Sequence, residues 1–146
     1  MNNKKEEFIE IEILSYLMDT YWEEGFFYHN DIKWFYSEKT KSYRRNKNNF
    51  IQRGISDITG ALRGKYIAIE VKKPSEMKFF DKSLEDLQKA FNEAELSGKS
   101  PSTLKKYVHA IEQREFLDKV VKAGGIGFFA SSVEEVKEKL KDFLND

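Results

Sequence analysis

An α/β domain with a central mixed sheet between helices is the fold class this sequence predicts, and three observations predict it. Helix-like and strand-like segments follow one another in the order helix, three strands, helices, strand, helix over 146 residues, a length that suits one domain. Residues 66–71 are apolar on both faces through Ile67, Ala68, Ile69 and Val71, as in a central strand covered twice. The long helical region between that strand and the apolar run 126–130 leaves room for a parallel crossover.

The elements follow in order. Residues 6–22, EEFIEIEILSYLMDTYW, predict a helix with Ile13, Leu14, Leu17 and Tyr21 on one broad face and Gly25 as its stop. FFYHN and DIKWFYSEKT are strand-like, the second alternating Ile32, Trp34 and Tyr36 against Lys33, Phe35 and Ser37. Residues 38–53 are polar and basic, a loop or the outer end of a hairpin. Residues 55–59 predict a strand, with Gly60, Arg63 and Gly64 in the turn after it. Pro74, which has no N–H for a ladder, ends the strand at 66–71. Residues 83–97 predict a helix capped by Ser83, with Asp86 three residues on, and KSPS after it is a loop. Another helix runs roughly over 112–123 and ends at Gly124–Gly125. After the strand at 126–130, Ser132 caps a last helix packed by Val133, Val136, Leu140 and Phe143.

Composition sets bounds. There is no cysteine, which excludes disulfides, thiolate nucleophiles and thiolate metal sites and is compatible with a cytosolic setting. The apolar stretches fall far short of a membrane span, and MNNKKEEF has no apolar signal core, so the expectation is a cytoplasmic protein with no membrane partner. The 25 basic and 25 acidic residues cancel, so the distribution of charge carries more than its sum. Lys39, Lys41, Arg44, Arg45, Lys47 and Arg53 cluster in one stretch where Glu38 is the only acid.

Charges inside the strands require a reason. Glu70 and Lys72 are two apart and share one strand face, while Ile69 and Val71 share the other. Asp57 precedes Glu70 by thirteen residues, and an antiparallel pairing of their strands brings the two carboxylates side by side. Paired carboxylates repel unless a cation lies between them, and a hard divalent ion such as Mg²⁺ prefers oxygen ligands. Asp57, Glu70 and the Val71 carbonyl are candidate ligands for an ion that would polarise a phosphodiester, with Lys72 offsetting developing negative charge. The alternative reading has Asp57 capping a turn and Glu70 and Lys72 as a solvated ion pair on an exposed sheet face. Glu10 lies on the line of Leu14, Leu17 and Tyr21 and faces inward, with Glu7 nearly aligned. A core-facing glutamate needs a partner, or else is solvated at the helix end.

GISD, the thirteen residues from Asp57 to Glu70, and EVKKP together resemble the PD-(D/E)xK nuclease superfamily. The closer resemblance is to its VRR-NUC branch, in the small, phage-type, stand-alone form. EQREFLDKVVKAGGIGFFASSVEEV resembles that branch's C-terminal half and IEIEILSYL its N-terminal helix, so the resemblance spans almost the whole chain. It implies a restriction-endonuclease-like core and Mg²⁺-dependent endonucleolytic cleavage of DNA, with Mn²⁺ as a substitute. By resemblance, Asp57 and Glu70 match the metal-binding acids and Lys72 the catalytic lysine. Glu10 matches the helix acid, ahead of Glu7, and Gln113 the helix glutamine, ahead of Gln88. Ser56 departs from the proline the family places before its aspartate. Residues 76–108 look like a helical insert. Stand-alone members resemble Holliday-junction resolvases and act as dimers, which implies duplex or branched DNA as partner, a homodimer, and a bacterial or phage-infected host cell.

Cleavage requires phosphate contacts, for which Arg53, Arg44, Arg45, Lys47 and Lys41 are the candidates, with Tyr43 placed to stack or touch sugar. Lys78 and Lys82 would extend a basic rim, and His29 would approach the cleft from the hairpin. Trp34, Phe35, Tyr36, Phe79 and Phe80 exceed the needs of one small core and suggest a dimer interface, or, for Phe79 and Phe80, an anchor for the insert. RNA cleavage, a non-catalytic DNA-binding module and an interaction protein are the competing functions.

Overall fold

The computed structural model describes residues 5–30, 34–37, 39, 41–45 and 56–145, of which 34–37 and 42–45 are described by their backbone. Helix α1 (Glu6–Thr20) buries Ile9, Ile13 and Leu17, whose spacing of four keeps them on one side. Its outer side leaves Phe8, Ile11 and Met18 exposed, so the helix is apolar on two flanks. Strand β1 (Gly25–His29) follows, then a hairpin of β2 (Trp34–Ser37) and β3 (Ser42–Arg45). Strands β4 (Ile58–Leu62) and β5 (Lys65–Val71) form a second hairpin. A 3-10 turn (Pro74–Glu76) leads into α2 (Met77–Phe80), α3 (Leu84–Leu96) and α4 (Pro101–Lys122), and β6 (Ile126–Ala130) and α5 (Val133–Leu144) complete the chain.

The main sheet has the order β1-β4-β5-β6, with β1 and β5 antiparallel to β4 and β6 parallel to β5. The mixed sheet and the parallel crossover expected from the sequence are therefore both present. One face carries Ile58, Leu62, Ile67, Ile69 and Val71 against α1 and α5. On the other, Ala68 and Phe129 pack with Phe80, Leu87, Leu117 and Val120 of α2, α3 and α4. Covering β5 on both sides is what its apolar run required.

Three expectations are corrected. The strand expected at 55–59 is Ile58–Leu62, and Gly60 lies inside it. A Cβ at Gly60 would collide with the Phe26 carbonyl, so this glycine serves the close approach of β1, not a turn. The turn itself is Arg63–Gly64, both at positive φ (51° and 79°). The helix expected over 112–123 begins at Pro101, and the supposed KSPS loop supplies its start. Ser100 accepts from the Thr103 N–H at 3.3 Å and Pro101 occupies the first turn, where its missing N–H costs nothing. The expected insert thus includes the first turns of a continuous helix. Finally, among the described residues five strands, not three, precede the central helices, with β2 and β3 paired to each other in a separate two-stranded sheet.

Candidate metal centre

The site forms where β4 begins and β5 ends. The β4–β5 register pairs Ile58 with Ile69. One step further sets Asp57 opposite Glu70, as the sequence suggested, and the Val71 N–H donates to Asp57 Oδ2 at 2.8 Å. Asp57 is thereby fixed by the backbone of the strand that carries its partner. Asn30 secures the other side of the bend: its N–H donates to the Asp57 carbonyl at 2.7 Å, and its Nδ2 donates to Thr59 Oγ1 and to the Ser56 carbonyl.

Glu70 and Lys72 are not a solvated surface pair. They are 3% and 8% exposed, beneath α2 and α4. Gln113 Nε2 of α4 donates to Glu70 Oε1 at 2.9 Å, and Lys72 Nζ lies 3.8 Å from the same oxygen. The Lys72 ammonium also sits 4.0 Å above the Phe80 ring centroid, a contact that favours the cation. Its backbone N–H extends the parallel ladder to the Ala130 carbonyl at 3.0 Å, so the lysine is held at both ends. Glu70 Oε2 and Gln113 Oε1 are buried and meet no donor.

From the opposite face, α1 brings Glu10 and Glu6 to Asp57. Oxygens of Glu6, Glu10 and Asp57 lie within 4.8 Å of one another, an arrangement that can hold a metal ion. Glu10 is 8% exposed, and its Oε2 lies 2.7 Å from His29 Nε2 of β1. His29 thus approaches the cluster. Glu7, the alternative helix acid, is exposed, as is Gln88 on α3. Sequence reasoning passed over Glu6. The signal was available: Glu6 and Glu10 stand four apart on a helix, which places them on one face. Asn30 had no such signal, because its role depends on the β1–β4 register.

The electrostatics are those of carboxyls crowded together in a buried place. Burial pushes the Glu70 pKa well above the ordinary range, the Asp57 charge adds to this, and Lys72 opposes it. Burial and then Asp57 also raise Glu10, against the lowering effect of His29. Glu6 is raised by burial, with Lys72 acting the other way. Carboxyls converging in a buried place resist ionisation without added positive charge.

Of the expected phosphate contacts, Lys41 is exposed in a turn at φ 50°. Tyr43, Arg44 and Arg45 lie on β3, and Lys47 and Arg53 lie outside the described residues. Phe80 is part of the core, and Phe79 packs on Phe80 and on Tyr107 of α4 with ring centroids 5.0 and 4.6 Å apart, so the pair anchors the helical segment to the body. Among the described residues no helix is long and apolar enough to cross a membrane. No family model matches the chain, and no curated protein or solved structure shows significant similarity to it.

Proposed function

We propose that the protein is a metal-dependent nuclease of the PD-(D/E)xK type, hydrolysing phosphodiester bonds in DNA. The observation that carries this reading is Glu70 Oε2, buried beside Asp57 with no donor, where a hard cation would supply the missing partner. Asp57, Glu10 and Glu6, whose oxygens converge, would hold the ion, with the unpartnered Glu70 Oε2 reaching it directly or through water. Mg²⁺ suits an all-oxygen set, and Mn²⁺ would substitute. The ion would supply Lewis acidity at a phosphoryl oxygen and acidify an attacking water.

The chain's own groups do the rest. Gln113 fixes the Glu70 carboxylate by its 2.9 Å bond and so sets where the oxygens point. Lys72 places a positive charge beside them, where it offsets the negative charge that grows on phosphate oxygens in the transition state. The Phe80 ring and the β5–β6 ladder keep that charge in position, so little reorganisation accompanies reaction.

The test is cleavage of labelled linear duplex, single strand and four-way junction with Mg²⁺, Mn²⁺ or EDTA. Cutting is expected only with metal, and Lys72→Ala should abolish it while leaving DNA binding in place. Cutting that persists in EDTA or in the lysine variant would overturn the mechanism.

A further inference from the structure

The sheet face that carries Glu70 is not covered along its whole length. Strand pairing sets three rows across β1, β4 and β5: Asn30–Asp57–Glu70, then Tyr28–Thr59–Ala68, then Phe26–Ala61–Tyr66. Antiparallel partners share a face, so Phe26, Tyr28 and Tyr66 stand on the same side as the acids. Helix α4 covers Ala68 but leaves these three rings 64%, 50% and 42% exposed. Rows are two residues apart, so the outermost ring lies about 13 Å from the carboxylates.

Beyond Tyr66 the same face opens into a cavity of about 350 Å³ between β5 and the end of α4. Lys65, Tyr66, Phe116 and Lys119 line it, and both lysines are exposed. Lys65 pairs with Leu62 and so points to the other face, whereas Lys119 of α4 borders Tyr66, and the features along one face are therefore carboxylates, aromatic rings and a lysine. Exposed rings offer π-faces that only unstacked bases can meet, and the lysine complements phosphate. A duplex presents base edges and would leave the rings unused.

We infer that this face seats unpaired nucleotides, with bases stacked on Phe26, Tyr28 and Tyr66 and a phosphate held by Lys119, and that it delivers a single strand or the unpaired arm of a branched substrate to the carboxylates. The inference rests on the nuclease reading for its purpose but not for its test. DNA or RNA would supply the same chemistry.

The test measures binding in EDTA, where no cutting is expected, by fluorescence anisotropy of labelled oligo(dT), oligo(U) and a blunt duplex. Replacing both Phe26 and Tyr28 with alanine should weaken single-strand binding about tenfold or more and leave duplex binding unchanged. A separate variant, Lys119→Glu, alters one exposed lysine and covers the case in which the aromatic pair is needed for folding. It should lower single-strand affinity and flatten the salt dependence by about 0.7 in log–log slope. Equal loss on duplex and single strand, unchanged affinity in both variants, or a wild type that ignores single strands would each overturn the inference. So would sedimentation showing that the aromatic substitutions merely split a dimer. If the wild type binds single strands through these residues but never cuts, the nuclease reading fails and this one stands. Metal-dependent cutting without single-strand binding gives the reverse.

Discussion

At the scale of single residues, Glu70 illustrates how a site can be costly to the fold that bears it. Burial and the Asp57 charge favour its neutral form, so its folded pKa is raised. Such a group lends its full stabilisation below the ordinary glutamate range and loses it as pH rises through the raised value. Glu70→Gln keeps an acceptor for Gln113 and stays neutral at every pH. In EDTA the variant should therefore unfold at a higher temperature than wild type near neutral pH, by about 2–4 °C per kcal/mol, with the gap closing in acid. A variant no more stable than wild type at neutral pH would refute this account of Glu70. Gln113 is a positioning residue. Its replacement by alanine should raise the metal concentration for half-maximal cutting about tenfold to a hundredfold, with a smaller effect at saturating metal. The residue scale is also where sequence was most legible. Asp57, Glu70 and Lys72 could be read from strand parity and a hairpin count, and Glu6 from its spacing of four to Glu10, whereas Asn30 became visible only once β1 was docked.

At the scale of elements, α4 does two things at once. Leu117, fully buried, packs it onto Gly127 of β6, and Gln113, one turn earlier, reaches Glu70. Leu117→Ala should cost about 2–5 kcal/mol in urea unfolding, because the cavity left under a long rigid helix closes poorly. The start of α4 escaped the hydrophobic pattern, since Ala110 is the first residue of the helix to be buried. Its Ser-Pro start was legible in principle as a cap followed by a proline in the first turn. β4 was misplaced for a different reason: Gly60 looked like turn chemistry, and only its contact with β1 explains a glycine within the strand.

At the scale of the whole molecule, the site draws on both faces of the sheet. α1 supplies Glu6 and Glu10 from one side, and α4 and α2 enclose Glu70 and Lys72 from the other. A cation binding there would tie these layers together and stabilise the folded state alone. Mn²⁺ at about 100 times its dissociation constant should add about 2.7 kcal/mol, seen as a rise in unfolding temperature. Asp57→Asn should abolish that rise. A rise that survives the substitution would place the ion elsewhere.

The sequence by itself determined the mixed sheet between helices, the doubly covered strand β5, and the apposition of Asp57 and Glu70. These follow from side-chain alternation and a short hairpin, which are local. Tertiary structure decided that Glu6 joins Glu10 at Asp57, that Gln113, already preferred to Gln88 by resemblance, donates to Glu70, and that Phe26, Tyr28 and Tyr66 remain exposed on the face of the acids. Those choices depend on how far each helix extends over the sheet. Packing between elements distant in the chain sets that reach, and no local pattern encodes it.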